Sequence, residues 1–241
     1  MALLIGTPAY NGMVHLDHEK TMIEAAVSGV QYMLYGIGNE SLITRARNTI
    51  ASYFYHHKEF DKLLFVDADI YVSGQDIKKL YNYNKDIVGA GVRLKSINNI
   101  LNFNIGNDEN GKPLAMDNLY EGTLLKVRWL GTAVIMFSRH VIELLVEEAK
   151  KEGAVYDGNS VLTGGDISIN SDFEMYDLFR VGLTEKMKEE YRKTGKRGTY
   201  LSEDFWITEK CRELGIDTWV DTSILTVHNG MVSLNSFKEG V

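Results

Sequence analysis

The chain has a single cysteine, Cys211, which excludes an internal disulfide framework and any multi-cysteine zinc site. It has no apolar run long enough for a membrane span, and Ala2-Leu3-Leu4-Ile5 is far too short for a secretory signal. Nor has it a surplus of positive charge. Its 26 Lys and Arg stand against 33 Asp and Glu, a net charge of −7, which argues against nucleic acid as the main partner. There is no internal repeat and no linker that would divide the sequence. Gly89-x-Gly91 lacks a third glycine and opens no helix, so it is no dinucleotide-binding turn, and no Walker-type loop is present. These absences leave a soluble, cytoplasmic protein whose 241 residues suit one large domain with a sizeable core.

What is present centres on Leu63-Leu64-Phe65-Val66-Asp67-Ala68-Asp69-Ile70-Tyr71-Val72. The apolar run reads as a strand buried on both faces, with Asp67 and Asp69 on one side of its carboxyl end. Two carboxylates so close repel each other unless something positive sits between them, and a hard divalent cation carrying phosphate oxygens suits that place. A strand running into an Asp-rich turn would look the same.

Around this stretch, strand and helix patterns alternate. Ala2 to Ile5 is a buried strand ending at Gly6-Thr7-Pro8. Asp17 is placed to cap a helix to about Ser28, with Met22, Ile23, Ala26 and Val27 inward. Tyr32 to Tyr35 forms a second strand. Asn39 or Ser41 starts a helix with Ile43, Ala46, Ile50, Phe54 and His57 at helical spacing. Ser73 and Ser138 cap two further helices, and Ile87 to Val92 is another buried strand. Residues 98–123 read as loops or a short hairpin, and 153–180 as a long loop near a site. Ser202 caps a last helix ending at Leu214-Gly215, and two strands then lead to His228-Asn229-Gly230. This order predicts an α/β domain with a largely parallel sheet, and a ligand crevice outside the carboxyl ends of the strands bearing Thr7-Pro8 and Asp67-Asp69.

Candidate functional residues follow from position. At 100° per residue, Arg47 falls about 40° from Ile43 and Arg45 about 200° from it. Arg47 therefore borders the apolar stripe and must meet an anion, either a buried carboxylate or a phosphate, whereas Arg45 can point to water. Ser202-Glu203-Asp204 puts two carboxylates in a first helical turn, and periodicity does not choose between them. Carboxylates there suit the helix dipole, and an ionised one suits a general base. His228 ends an apolar strand. Asp166-x-Ser168-x-Asn170-x-Asp172 resembles a calcium loop only superficially.

In order along the chain stand Thr7-Pro8, Arg45-Ala46-Arg47-Asn48, Phe65-Val66-Asp67-Ala68-Asp69, Trp129-Leu130-Gly131-Thr132, Ser202-Glu203-Asp204 and Thr226-Val227-His228. As a set they resemble the GT-A-fold glycosyltransferases, similar to the family 2 type and to stand-alone enzymes of viruses and bacteria. The resemblance spans about residues 2–230. It implies one GT-A (Rossmann-like) domain over 1–241, with a nucleotide-binding part near 1–95 and an acceptor- and metal-completing part near 96–241. It implies a nucleotide pocket at Thr7, Pro8, Tyr10, Arg47, Asp67 and Ala68. Manganese or magnesium would lie at Asp67, Asp69 and His228, with donor-sugar contacts at Trp129, Gly131 and Thr132. Asp204, beside Glu203, would be the base of an inverting transfer. The implied donor is a uridine or guanosine diphosphate sugar, and the acceptor a glycan, a protein-linked glycan or a lipid-linked one. The family's usual acidic residue for the base ring is replaced by Gly36-Ile37-Gly38-Asn39-Glu40. A sugar-phosphate nucleotidyltransferase is a weaker reading, because no glycine-rich basic loop follows the first strand. A non-catalytic carbohydrate- or nucleotide-binding module on the same fold is the third reading.

Overall fold

The computed structural model describes residues 2–95, 101–104, 124–158 and 174–230. The calcium-like run at 166–172, and most of the 98–123 and 153–180 stretches expected to be loops, lie outside them. In chain order the elements are β1 (Ala2–Ala9), α1 (Leu16–Val27), β2 (Tyr32–Gly38), α2 (Ile43–His56), β3 (Phe60–Val66), β4 (Ile70–Val72), α3 (Gly74–Asn82) and β5 (Ile87–Ala90). Next come β6 (Phe103–Asn104), β7 (Leu124–Val127), β8 (Trp129–Leu130), β9 (Val134–Ser138), α4 (Arg139–Lys151) and β10 (Val155–Asp157). The last are β11 (Glu174–Tyr176), α5 (Glu185–Thr194), α6 (Glu203–Glu213), β12 (Thr218–Asp221) and β13 (Thr226–His228).

Seven strands form the central sheet in the order β2-β1-β3-β9-β5-β12-β7. β2, β1, β3, β5 and β12 run one way, while β9 and β7 run against them. The sheet is therefore mostly parallel in direction, as the alternation of patterns predicts. Period two divides its side chains between two layers. Leu4, Leu63 and Phe65 join a core with Ile50 and Phe54 of α2, Val141 of α4 and Ile207 of α6. Leu3, Ile5, Leu64 and Val66 join a second core with Met22 of α1 and Ile77 and Leu80 of α3. Each large side chain so buried contributes about 1.5–3 kcal/mol relative to exposure.

Three local expectations are corrected. α1 is capped by His15, whose Nδ1 accepts from the Asp17 amide at 3.1 Å. Its inward face is His18, Thr21, Met22 and Ala25, while Ile23, Ala26 and Val27 are exposed. Two polar side chains on that face have partners: Thr7 Oγ1 lies 2.9 Å from His18 Nε2, and Thr21 Oγ1 accepts from the Val72 amide. α2 begins after Leu42 with no side-chain cap, rather than after Asn39 or Ser41. Its stripe of Ala46, Ile50 and Phe54 is nonetheless buried as expected. Gly6 lets α2 lie close on β1, because a Cβ there would meet Ile50 Cγ2 at 2.4 Å. Ser73 and Ser138 cap α3 and α4 as expected.

The third correction concerns the stretch at 63–72, which is two strands and a turn. β3 stops at Val66, and the Ile70 amide donates back to the Asp67 carbonyl at 3.1 Å. β4 then leaves the central sheet and pairs antiparallel with β13, setting Ile70 opposite His228. Asp67 and Asp69 thus stand on a turn at the end of β3 and not on successive outward positions of one strand.

Candidate functional site

An open crevice of about 720 Å³ lies outside the carboxyl ends of β1 and β3, where ligands bind in open α/β sheets. Asp67, Ala68 and Asp69 are on its wall, with Pro8 and Tyr10 from the end of β1, and Lys95 and Asn229 beside Asp69. Hydrogen bonds fix the turn from both sides. The His15 amide donates to the Ala68 carbonyl at 2.7 Å, and the Asn229 amide donates to the Asp69 carbonyl at 2.9 Å. Asn229 Nδ2 also reaches Asp17 Oδ2 at 2.8 Å, tying α1 to the segment after β13. Thr7 is buried against His18 beneath this wall and is not part of it. Burial lowers the His18 pKa, with Asp69 pulling it back up.

Behind the wall sits Arg47, only 3% exposed. Its Nη2 donates to Asp67 Oδ1 at 2.9 Å and Oδ2 at 3.2 Å, and its Nε lies 3.7 Å from Glu203 Oε1. Of the two anions open to it from the sequence, it meets the carboxylate. Arg45 turns instead to Glu40, with bonds of 2.6 and 2.8 Å. That occupies the one carboxylate following β2. Burial raises the pKa of Asp67; Arg47 opposes the shift, and Asp69 and Asp204 add to it. Glu203 is raised for the same first reason, again opposed by Arg47 and reinforced by Asp204 and Asp67. One guanidinium therefore serves a cluster with more negative than positive charge.

α6 presents the Glu203-Asp204 pair. Ser202 occupies its N-cap position, but its hydroxyl donates to the Asp204 carboxylate and caps no backbone amide. Asp204 Oδ1 takes the Phe205 amide at 2.9 Å. The pair therefore divides, with Glu203 toward Arg47 and Asp204 held by its own helix end. Neither residue lines the crevice.

Asp69 and His228, far apart in sequence, are neighbours in the fold: His228 Nε2 lies 3.6 Å from Asp69 Oδ1. His228 Nδ1 is 2.7 Å from the Arg93 carbonyl. A carbonyl only accepts, so Nδ1 carries the hydrogen, and Nε2 is the ring nitrogen turned toward a carboxylate oxygen. An imidazole nitrogen and a carboxylate oxygen are both ligand types for a divalent cation, and the Nδ1 bond to a carbonyl is the usual support for a ligating imidazole. Asp67 is turned away to Arg47. Among the described residues no group of three or more His, Cys, Asp or Glu is placed to hold a metal together. Lys95 Nζ forms an ion pair with Asp69 Oδ2.

Trp129, Gly131 and Thr132 do not line the crevice. Trp129 stacks on Phe205 at 5.5 Å and donates from Nε1 to Glu209 at 2.8 Å. A Cβ on Gly131 would meet Asn102 Nδ2 at 2.5 Å, and Thr132 is buried. Glu209, nearly buried on α6, also receives Arg128 and Arg212. Although burial opposes it, these partners hold its pKa at about 2, below the usual 4.5. A lowered folded pKa gives stability present above 4.5 and lost as pH falls through about 2. Glu209→Gln is expected to cost on the order of 2 kcal/mol at neutral pH, because charged hydrogen bonds are lost. It should also flatten the stability profile between these two pH values. Urea melts across that range measure both; equal slopes in the two proteins would contradict the assignment.

Lys95, Asn229 and His18 have no distinguishing pattern in the sequence. His228 marks the neighbourhood of Asn229 by adjacency alone.

No protein-family model matches the sequence, and no curated protein matches it. Among solved structures, the chain is similar to A197 from STIV, with a TM-score of 0.52 and 13% identity over 96% of this chain and 87% of that one. It is less similar to a glycosyltransferase involved in glycosylation of the major capsid of PBCV-1, with a TM-score of 0.35 and 10% identity over 60% of this chain and 63% of that one. TarS 1-349 of S. aureus matches at a TM-score of 0.34 and 12% identity over 68% of this chain and 52% of that one. The likeness to A197 is one of fold, and the mixed α/β architecture with a mostly parallel sheet expected from the sequence is present. No helix among the described residues is long and apolar enough to cross a membrane.

Proposed function

We propose that the protein is a glycosyltransferase that moves a sugar from a nucleoside diphosphate to an acceptor hydroxyl, with inversion. The observation carrying this reading is the Asp67-Ala68-Asp69 turn, which lines the crevice at the end of β3 and presents Asp69 to His228 and Lys95. Pro8, Tyr10 and Ala68 offer a wall for the nucleoside, and Asp67, held by Arg47, offers carboxylate oxygens to the ribose. Arg47 acts on the nucleotide through Asp67, since its Nη2 is committed there.

Asp69 and His228 would hold manganese or magnesium, which when bound supplies Lewis-acid relief of the charge on a departing diphosphate. The chain's own part is positional and basic. Asp204 takes the proton of the acceptor hydroxyl as that oxygen bonds to the anomeric carbon. The bond from that carbon to the diphosphate breaks, and its electron pair leaves with the phosphate oxygen. The acceptor is a glycan, free or carried on protein or lipid, and the donor a uridine or guanosine diphosphate sugar.

A thermal-shift panel of nucleotides and nucleotide sugars, with and without manganese, tests the reading. A ligand at a hundred times its Kd adds about 2.7 kcal/mol of stability. Stabilisation by one family of nucleoside diphosphates, followed by their release from the matching sugar donor, is the expected result. Formation of pyrophosphate would turn the reading to a nucleotidyltransferase, and binding without any turnover to a carbohydrate- or nucleotide-binding module.

A further inference from the structure

We infer that Lys95 is a diphosphate-binding residue that rests on Asp69 until the nucleotide arrives. The inference rests on the nucleotide-sugar reading and adds a residue to it. Lys95 lies on the crevice wall with its ammonium on Asp69 Oδ2, while the other oxygen of the same carboxylate faces His228. Its side chain is 47% exposed and that of Asp69 is 35% exposed. An exposed pair of this kind is weak and exchanges readily. A diphosphate carries more charge than one carboxylate and takes charge-assisted hydrogen bonds from an ammonium, so it competes well for Lys95.

The placement is built by the fold. Gly230, just beyond β13, leaves room for the lysine stem: a Cβ there would meet Lys95 Cδ at 2.8 Å and Cε at 3.1 Å. The same short segment gives the Arg93 carbonyl to His228 Nδ1, so residues 93–95 orient the imidazole and deliver the ammonium together. Among the described residues, Arg47 holds Asp67 from behind the wall, where it is buried and does not line the crevice. Of the lysines and arginines among the described residues, Lys95 is the one that lines the crevice. Moving to the diphosphate, it frees Asp69 Oδ2 as the ligand enters.

Calorimetric titration of UDP and of GDP into the full chain, with a chelator present, separates the possibilities. Whichever diphosphate binds the unmodified protein should bind Lys95→Gln at least tenfold more weakly. Lys95→Arg should restore most of the affinity, and the matching nucleoside should bind both proteins alike. Lys58→Gln, which removes a distant exposed partner of Glu143, controls for net charge and should change nothing. Equal affinity of Lys95→Gln and the unmodified protein for the diphosphate overturns the inference, and so does an equal loss for nucleoside and diphosphate. If neither diphosphate binds the unmodified protein, with chelator or with manganese, it is the nucleotide-sugar reading itself that fails.

Discussion

Asp204→Asn is expected to slow sugar transfer by about 10²–10⁴ while leaving nucleotide-sugar affinity near normal, the usual signature of a lost general base. The substitution keeps size and hydrogen-bonding reach but removes the ability to accept a proton. Asp204 is the better candidate of the α6 pair on geometry. Glu203 is turned toward the Arg47 guanidinium, whereas Asp204 is held by Ser202 and the Phe205 amide at the helix end. Glu203→Gln should accordingly lower the rate less and the stability more. Single-turnover rates with a fixed donor, beside donor titrations, measure the split. Should Glu203→Gln abolish transfer and Asp204→Asn leave it intact, the base is one residue earlier. If neither matters, inversion itself is at stake, and NMR of the product's anomeric configuration decides it.

Arg47→Ala is expected to cost about 3–5 kcal/mol of stability, the usual loss when one side of a buried ion pair is removed. Arg47 is nearly inaccessible and bonded to Asp67, with Glu203 close by, so its loss strands two carboxylates whose pKa values burial already raises. Neutralising them is the cheap escape. The deficit relative to the unmodified protein should therefore shrink as the pH is lowered and both carboxyls take up protons. Arg45→Ala should cost less, because its pair with Glu40 is more accessible. Paired urea melts at neutral and mildly acidic pH measure all three statements. A deficit that grows on acidification would mean that Arg47 does not act through these carboxylates.

Much of this arrangement is legible in the sequence because hydrophobic period is a strong signal where an element is long. α2 shows Ala46, Ile50 and Phe54 on one face, and from that stripe Arg47 is correctly placed at the sheet and Arg45 away from it. The break at Asp67 is not legible. Apolar residues continue from Leu63 to Val72 on both sides of the carboxylates, so nothing local marks where one sheet is left for another. The tertiary partner, β13, decides it from far along the chain. α1 misleads for a related reason. Its buried face carries His18 and Thr21, which are satisfied by Thr7 and by the backbone of β4, so polarity there does not mean exposure. Lys95 stands singly in a stretch without period, and only the fold brings it to Asp69.

The antiparallel strand β9 has a consequence for the order in which the protein can assemble. β3 and β5 are close in sequence yet never pair; β9 lies between them, and β12 then closes the far side of β5. A growing polypeptide that has emerged only through β5 thus holds β2, β1 and β3 as a ribbon with an open edge, while β5 waits without a neighbour. Chain that arrives much later has to return to the middle of the sheet, and its closure entropy must be met before the central contacts form. The carboxylate turn at the end of β3 shares that delay. The Asp67 amide is held by the Ala133 carbonyl just before β9, and Asp69 by Asn229 just after β13. The carboxylate turn therefore has its full set of hydrogen bonds only once the segments before β9 and after β13 are in place, and the amino-terminal strands have no means of completing it alone.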